Sequence, residues 1–405
     1  MRIELERLDD TRHREPFVLT RPGLYLIGRS QQCHFRIGED PTASRFHLLL
    51  ERTPLCCRLR DLRGKNGTLV NGRAVRTCLL NHGDEIAVGN TRLRACFDVP
   101  PDRVPAPTGT SAEPAAPGGS RLAPTPSDRR EPPQIPGYRI LGDLAETIHG
   151  HLWIGQHEKG RRSVVIRSID ASALSDDASE LFLRRSSTIA ALRHPAVVSE
   201  LDAGRSGACL YVVSEHVLGM DSEKWFRANA GSSEAERVRR IGLAALDALE
   251  CAHSHGVVHG DVRPANILIS NKRADDFSVG ITDFGLAARC RDAGLTYLTE
   301  PGHIHDLLPF MAPEQILDGG GCDHRADLFS LAATLCRLLF GESPYLFRAG
   351  EDPFVTVAGA RIAPVKGAAG APPELTRVLE RALARDPEHR YRSAADMRDE
   401  LLAVP

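Results

Sequence analysis

The sequence predicts two domains of different fold class, an all-β sandwich followed by an α+β domain of two lobes. Before residue 99, short apolar runs recur between turn residues, which is typical of a sandwich. Residues 99–134 then hold ten of the 27 prolines. After this stretch, strand-like runs up to about residue 215 give way to long helical periodicities, as expected for an α+β domain. A chain of 405 residues is long enough for two separate hydrophobic cores.

The N-terminal domain is predicted to occupy residues 1–98. Gly, Asn, Asp and Pro separate its apolar runs, and no long segment has the 3.6-residue period of a helix. We therefore predict strands at 17–19, 24–27, 47–50, 57–59, 68–70, 85–88 and 93–97.

Residues 99–135 are predicted to form a linker. They are rich in Pro, Ala, Gly, Ser and Thr and nearly free of aromatic residues, so they cannot bury enough apolar surface to fold. An extended proline-rich chain rises ~3.1 Å per residue, so this segment could hold two domains up to roughly 110 Å apart. We expect the two domains to lie apart, at a separation on the order of tens of ångströms.

The C-terminal domain is predicted to span residues 136–402. Its strand-like runs indicate a small sheet-rich lobe at 136–214, and its helical periodicities indicate a larger helical lobe at 215–402. The clearest helical periodicities cover 234–255, 325–340 and 374–385.

Composition argues against several classes of partner and location. The 51 basic and 53 acidic side chains leave no excess charge for a nucleic acid or a membrane surface. No run reaches the ~20 apolar residues of a membrane span, and the first residues lack a signal-peptide core, so a cytoplasmic protein is expected. The ten cysteines show no zinc-site spacing and are expected to be free thiols.

Four polar residues of the N-terminal domain fall on predicted loops and suit one ligand. Arg29 and Arg45 supply guanidiniums, Ser44 a hydroxyl and Asn66 an amide. A guanidinium can hold two oxygens of a phosphate group, and the hydroxyl and amide can bind the phosphate and the adjacent peptide backbone. Turn chemistry is the alternative, because Asn-Gly is a common hairpin turn.

The order of these loop motifs resembles the forkhead-associated (FHA) domain. The matching strings are L-Y-L-I-G-R, S-R-F-H, D-L-R-G-K-N-G-T-L-V-N-G and G-D-E-I-A-V-G. The resemblance implies an eleven-stranded sandwich that binds phosphothreonine peptides, with Arg29, Ser44 and Arg45 near the phosphate and Asn66 on the peptide main chain. Gly64 departs from the family, which commonly has Ser or Thr there, so we expect a lower affinity.

Three strings in the C-terminal domain resemble the eukaryotic-type (Hanks-type) Ser/Thr protein kinase domain of bacteria. They are H-G-D-V-R-P-A-N at 259–266, D-F-G at 283–285 and A-P-E at 312–314. The resemblance implies that Asp261 is the catalytic base and that Asn266 and Asp283 bind Mg²⁺ on ATP. Arg263 stands at the position of the catalytic-loop Lys and keeps its charge.

The same resemblance implies further nucleotide contacts and structural pairs. Backbone groups near Glu215 and Val217 would contact the nucleotide at the hinge between the lobes. Gly150 is the one glycine kept of the three expected in the phosphate-covering loop, which has Ala145 and Thr147 at the other positions. As structural features, Glu314 and Arg390 resemble an ion pair that anchors the activation segment, and Asp327 resembles a brace for the catalytic loop.

The phosphate-gripping pair of the kinase family is changed at both positions. Arg167 replaces the Lys, and Arg185 replaces the Glu that normally holds it. We expect these two cations to face each other, with a repulsion of about 4 kcal/mol at ~4 Å and an effective dielectric constant of 20. Glu180 lies five residues away from Arg185 and points to another helical face.

Intact phosphate-reading residues beside altered catalytic ones favour a signalling scaffold with a pseudokinase or weakly active domain. Its partners would be a phosphothreonine-containing protein and the other protein kinase that marked it. The rival hypothesis is an active ATP-dependent Ser/Thr kinase that uses Arg167 in place of Lys. In that case its linker threonines Thr108, Thr110 and Thr125 would be phosphorylated in cis and captured by the FHA domain. The arginine-rich composition leaves this rival open, because a Lys can drift to Arg in such a chain.

Overall fold

The computed structural model describes most of both domains. The residues described are 2–8, 15–53, 56–98, 131–160, 162–229, 234–273, 276–295, 304–318, 322–365 and 372–405. The three linker threonines named above, and nearly all of the predicted linker, lie outside these ranges.

The N-terminal domain is a sandwich of two sheets, which confirms the all-β prediction. One sheet has the order β2-β1-β11-β10-β7-β8 and the other has the order β4-β3-β5-β6-β9. Its eleven described strands are β1 Ile3–Arg7, β2 Phe17–Leu19, β3 Gly23–Gly28, β4 Phe35–Arg36, β5 Leu48–Arg52, β6 Cys57–Asp61, β7 Thr68–Val70, β8 Arg73–Val75, β9 Thr77–Leu80, β10 Glu85–Val88 and β11 Thr91–Phe97.

Strands β3 and β5 are buried on both faces. Tyr25 and Ile27 point into the core between the two sheets. The alternate residues Leu24 and Leu26 point to the opposite face and join a second core. Every residue of β3 and β5 is buried, a pattern that a sandwich with one solvated face does not show.

The small lobe of the C-terminal domain is built on a five-stranded antiparallel sheet with two helices. The sheet has the order β12-β13-β14-β16-β15. Its strands and helices are β12 Tyr138–Thr147, β13 Gly150–His157, β14 Ser163–Asp170, α1 Asp176–Arg184, α2 Ser186–Ala190, β15 Glu200–Ser206 and β16 Cys209–Glu215. Helix α1 begins after Ser175, whose hydroxyl accepts a hydrogen bond from the Ala178 backbone.

The large lobe is mainly helical around a buried central helix, α8, which ends at Gly341 in the left-handed conformation (φ 74°). A three-stranded sheet of order β17-β18-β19 lies beside the catalytic loop. The elements are β17 Met220–Asp221, α3 Ser222–Ala228, α4 Glu234–Ser254, β18 Ile267–Arg273, β19 Asp276–Ile281, α5 Leu286–Ala293, α6 Ile304–Leu307, α7 Pro313–Leu317, α8 Arg325–Phe340, α9 Pro353–Ala358, α10 Pro373–Ala382 and α11 Ala394–Leu402.

The expectation that the linker keeps the two domains apart is wrong. Leu24, Leu26 and Leu49 of the sandwich share one buried cluster with residues of the large lobe. Strand β3 packs against α7. A proline-rich linker sets only the greatest separation of two domains, and here the apolar outer face of the sandwich brings them into contact.

In the described part of the chain, no helix has the length and apolar character needed to cross a membrane. All ten cysteines are free thiols. Within the same residues, no group of three or more His, Cys, Asp or Glu side chains is arranged to hold a metal ion.

Candidate functional sites

Three loops of the N-terminal domain bring the predicted phosphopeptide residues together. The backbone NH of Arg29 donates to the Ser44 carbonyl at 2.9 Å, which joins the loop after β3 to the loop before β5. The Lys65 NH donates to Ser44 Oγ at 3.3 Å, and Asn66 Nδ2 donates to the Thr42 carbonyl at 2.8 Å. The loop between β6 and β7 is thereby fixed beside Ser44.

The cations at this site face solvent. Arg29, Arg45 and Lys65 are exposed. Among the described residues, neither Arg29 nor Arg45 forms a side-chain ion pair. Two guanidiniums and an ammonium beside a hydroxyl form a site of the charge and reach that a phosphate group needs.

A buried carboxylate fixes the loop that carries Ser44. The Asp40 side chain accepts hydrogen bonds from the backbone NH groups of Thr42, Asn90 and Thr91 at 2.8, 2.7 and 2.9 Å. Burial opposes ionisation of Asp40, but these hydrogen bonds prevail and lower its pKa to about 2. The carboxylate is therefore ionised at neutral pH and holds the loop in place.

A side chain at Gly64 would meet the Ser44 hydroxyl. A Cβ atom at this position would lie 2.7 Å from Ser44 Oγ and 3.4 Å from His47 Cε1. His47 is buried, and its Nδ1 accepts a hydrogen bond from the Ser44 NH at 3.0 Å while Nε2 bonds the Gly67 carbonyl at 2.9 Å. The family's usual Ser or Thr does not fit here unless Ser44 moves.

The catalytic loop of the C-terminal domain is ordered around Asp261. Its carboxylate accepts hydrogen bonds from Arg263 Nε at 3.0 Å and from Asn266 Nδ2 at 2.9 Å. The buried Asp327 accepts from the backbone NH groups of His259 and Gly260, both at 2.8 Å. The three residues predicted to be catalytic are thus brought together, and Asp327 lies where a brace for this loop is needed.

The activation segment ends at a buried ion pair. Arg390 donates to the two carboxylate oxygens of Glu314 at 2.5 and 2.8 Å. Both side chains are buried, so the bidentate geometry satisfies charges that would otherwise be costly.

Arg167 binds Asp283, the residue predicted to hold Mg²⁺. Its Nη2 lies 2.5 Å from Asp283 Oδ2, and its Nη1 donates to Thr147 Oγ1 at 2.7 Å. Asp283 adopts a left-handed backbone conformation (φ 67°), which is unfavourable for a residue with a side chain. Thr147, which replaces a glycine of the phosphate-covering loop, is therefore a partner of Arg167.

The Asp283 carboxyl already has a cationic partner in Arg167. Burial raises the pKa of this carboxyl, but the Arg167 guanidinium outweighs burial, and the pKa lies below its usual value. The oxygen atoms of Asp283 and Asn266 are hard ligands that suit Mg²⁺. Because Arg167 already neutralises Asp283, a metal ion would have to displace a guanidinium that is almost completely buried.

The expectation that the Arg167 and Arg185 side chains face each other is wrong. Arg185 lies at the junction of α1 and α2, and its Nη2 lies 2.8 Å from Asp292 Oδ2. Each guanidinium has its own carboxylate, so the predicted repulsion does not arise. Glu180 is exposed and pairs with Arg184 at 2.8 Å, away from Arg167, as the helical spacing predicts.

The loop between β12 and β13 folds into the cleft. Thr147 Oγ1 donates to the Gly150 carbonyl at 2.6 Å and closes the turn. Gly150 has φ 101°, and a Cβ atom there would lie 2.2 Å from the Ser168 carbonyl, so strand packing alone requires this glycine. His149 lines the cleft beside Asp261, and burial lowers its pKa to about 4, which keeps it neutral. A contact of Gly150 with a nucleotide stays a prediction.

The side chains of Glu215 and His216 at the hinge are paired with residues of β14 and of the loop before it. The Glu215 side chain forms an ion pair with Arg162, and His216 Nδ1 bonds Ser163 Oγ at 2.9 Å. Val217 is partly buried and lies near Gly280. This is the arrangement expected if the residues at 215 and 217 contribute backbone groups.

Arg289 is a residue that sequence reasoning missed. It lies on α5, directly after the D-F-G string, and its guanidinium binds the two oxygens of Glu200 at 3.0 and 2.8 Å. It also donates to Ser186 Oγ at 2.6 Å and lies over the Phe182 ring at 5.0 Å. Helix α5 is thereby fixed against the small lobe. The available signal for this helix was the stretch L-A-A-R-C-R-D-A between D-F-G and Gly294, which is rich in the good helix formers Leu, Ala and Arg.

The fold and the two sites define a protein kinase with a phosphopeptide-binding type of sandwich attached. The protein kinase domain family matches residues 147–401, and the FHA domain family matches residues 25–89. The chain therefore belongs to the protein kinase family and carries an FHA domain.

Curated relatives are bacterial Ser/Thr kinases. The chain is 32% identical over 287 residues to the serine/threonine-protein kinase PknB of Mycolicibacterium smegmatis, a match covering 69% of this chain and 43% of PknB. It is 35% identical over 273 residues to PknJ of Mycobacterium tuberculosis, covering 64% of this chain and 44% of PknJ. The matching region thus spans less than half the length of these relatives. The crystal structure of a point mutant of the M. tuberculosis PknI kinase domain matches 66% of this chain and 95% of that domain, with 25% identity and a TM-score of 0.49.

Proposed function

We propose that this FHA-containing member of the Ser/Thr kinase family is a signalling scaffold that reads phosphothreonine. Its FHA domain binds a segment phosphorylated by another protein kinase, either on a partner protein or on its own linker. Its kinase domain acts as a pseudokinase or a very weak kinase. The proposal that the FHA domain binds phosphothreonine, called the reading half below, is supported by the solvent-facing set of Arg29, Ser44, Arg45 and Asn66.

The proposal that the kinase domain is a pseudokinase or a very weak kinase rests on the ion pair between Arg167 and Asp283. Mg²⁺-ATP, when bound, supplies the phosphoryl group, and catalysis of its transfer depends on positioning and charge neutralisation. In this structure, the cation that would grip the phosphates and the carboxylate that would bind the metal neutralise each other. The pairing lowers the free energy of the nucleotide-free state, so nucleotide binding must overcome it.

The reading half is tested by binding of phosphothreonine peptides to the full chain, measured by fluorescence anisotropy with a degenerate peptide library. We expect Arg29→Ala to weaken binding about tenfold or more, because a hydrogen bond to a charged group contributes about 1.5–3 kcal/mol. Arg92→Ala, an exposed arginine on β11 of the other sheet, is the matched control. Absence of binding to every member of the library would end this half of the proposal.

The second candidate function is an active Ser/Thr kinase that uses Arg167 in place of Lys. The ordered hydrogen bonds of Asp261 with Arg263 and Asn266 favour it, because they keep a base in place for a substrate hydroxyl. The test is phosphate incorporation by the purified chain beside an Asp261→Asn variant. Turnover that disappears in the variant would establish the second candidate over the pseudokinase.

A further inference from the structure

The outer face of the β4-β3-β5-β6-β9 sheet is apolar and covered by the kinase domain. Its residues Leu24, Leu26, Phe46, Leu49 and Leu62 are at most 9% exposed. They belong to the same buried cluster as kinase residues of α7 and α9. On an isolated sandwich, these side chains would form a contiguous solvent-exposed apolar patch, which is rare in monomeric proteins.

Oppositely charged side chains of the two domains form ion pairs at the edge of this contact. Asp352, at the start of α9, is fully buried, and its Oδ2 lies 2.9 Å from Arg60 Nη2 and 3.1 Å from Arg76 Nη2. The Arg60 guanidinium also lies 5.4 Å from the centre of the Phe354 ring. The contact therefore combines an apolar centre with ion pairs between the domains, as specific protein interfaces do.

The contact lies against the catalytic cleft. Leu24 and Arg52 of the FHA domain line one cleft together with Asp261, Leu307 and Met311 of the kinase domain. Strands β3 and β5 thus form one wall of the space in front of Asp261. A polypeptide approaching Asp261 from this side would meet the FHA sheet.

We infer that the outer sheet face of the FHA domain is a docking surface for this chain's own kinase domain and that docking closes the Asp261 cleft to protein substrates. The phosphate-binding residues Arg29 and Arg45 stay exposed in the docked chain. Reading of phosphothreonine and closure of the cleft therefore use different surfaces of one domain. The docking surface is independent of whether the FHA domain binds a phosphopeptide and of whether the kinase domain transfers phosphate.

Cys33 of the FHA domain offers a thiol with which to follow the contact. It belongs to the buried cluster shared by the two domains, and its Sγ donates to the Arg45 carbonyl at 3.2 Å. Burial raises the pKa of this thiol to about 12, so it reacts slowly while the domains are docked. In the full chain, we expect Arg60→Glu to speed maleimide labelling of Cys33, measured by peptide mass spectrometry, on the order of tenfold or more. Arg92→Glu, the same charge change on the opposite sheet, is expected to leave the rate unchanged.

Labelling of a second, introduced thiol measures whether the cleft is closed. Ala287 lines the kinase side of the cleft and is partly buried, so Ala287→Cys introduces a thiol with little change in volume. A maleimide carrying a polyethylene glycol chain is expected to label it slowly in the otherwise native chain. Labelling is expected to rise on the order of tenfold when Arg60→Glu is added.

Two buried thiols show that each domain stays folded. Cys57 lies in the sandwich core and Cys290 in the core that α5 shares with the small lobe, and both must stay unreactive. If Arg60→Glu exposes Cys57, the same measurements are made with Arg76→Glu. The docking would be overturned if Cys33 were labelled at the same rate in the parent chain and in a charge-reversed variant whose core thiols Cys57 and Cys290 stay unreactive. Rapid labelling at Cys33 with Ala287→Cys still protected would overturn the closure.

Discussion

At the residue scale, the Arg167 guanidinium makes two contacts at once that a lysine at this position could not make equally well. A guanidinium is planar and presents several donors, so it binds Asp283 and the Thr147 hydroxyl at once. A lysine ammonium at this position would be a compact, more strongly hydrated charge. The pair formed by Arg167 and Thr147 explains why two departures from the family pattern occur in one site.

Removing the guanidinium should destabilise the fold. We expect Arg167→Ala to lower the free energy of unfolding by about 3 kcal/mol, because a buried carboxylate loses its counter-ion. Arg184→Ala removes the exposed partner of Glu180 and should change the free energy of unfolding by less than about 1 kcal/mol. Urea denaturation monitored by circular dichroism measures both variants, and equal effects of the two would contradict the account.

The pH dependence follows from the lowered pKa of Asp283 in the folded chain. A carboxyl with a lowered folded-state pKa stabilises the fold above its unfolded pKa of about 3.9 and loses that contribution as the pH falls through the folded-state value. The stability difference between the native chain and Arg167→Ala should therefore be constant near neutral pH. It should shrink as the pH falls through the pKa of Asp283 in the variant, which burial raises once Arg167 is absent, and continue to shrink towards the lowered pKa of the native chain.

The resemblance led us to expect a lower affinity with glycine at position 64, but the position of Ser44 predicts that restoring the family's usual residue in this chain weakens binding. We expect Gly64→Ser to lower affinity for phosphothreonine peptides by about 1–3 kcal/mol, because the new Cβ atom would displace Ser44 Oγ. Anisotropy titration gives the affinity, and a denaturation curve shows whether the domain remains folded. Tighter binding by Gly64→Ser would mean that the loop opens to make room.

Part of both sites could be predicted from the motifs because those positions lie in fixed order along the chain. The sequence brings Asp261, Arg263 and Asn266 into one loop of eight residues, so their proximity needs no tertiary information. The partners of Arg167 and Arg185 could not be predicted in this way. Asp283 and Asp292 lie on the activation segment, and their positions depend on how α5 packs.

At the scale of elements, α5 links the activation segment to the small lobe. Its Arg289 is almost completely buried against Glu200 and Ser186. The same helix carries Asp292, which holds Arg185. The position of α1 and the position of α5 are therefore coupled.

Release of α5 should be visible as local opening. We expect Arg289→Ala to lower stability by about 3 kcal/mol and to speed amide hydrogen exchange across Leu286–Ala293, because Glu200 is left as an unpaired buried charge. Exchange in the central helix Arg325–Phe340 should stay slow. Unchanged exchange at α5 would show that Arg289 does not hold the helix.

The apolar runs predicted the strands of the sandwich well, and their pattern held more information than the motif analysis used. The run Leu24–Ile27 is continuous rather than alternating, which indicates burial on both faces. Four of the eleven strands, β1, β4, β8 and β9, were not predicted from such runs. Their pairing partners supply the stability that their own sequences do not encode.

At the scale of the whole molecule, two features oppose phosphoryl transfer to a protein substrate. The nucleotide cleft holds an internal ion pair, and the FHA sheet lies in front of Asp261. Linker composition alone could not indicate the second feature, because it limits the distance between domains without specifying a contact. The continuous apolar runs of β3 and β5 were the sequence property that pointed to it.

The most direct test of the central claim is the effect of Mg²⁺ on ATP binding to the full chain, measured by calorimetric titration beside Asp283→Asn. Since Arg167 neutralises Asp283, we predict that Mg²⁺ raises the affinity for ATP by less than about tenfold and that Asp283→Asn changes this little. A large Mg²⁺-dependent gain in affinity that Asp283→Asn abolishes would contradict the account and place a metal ion, rather than Arg167, on Asp283.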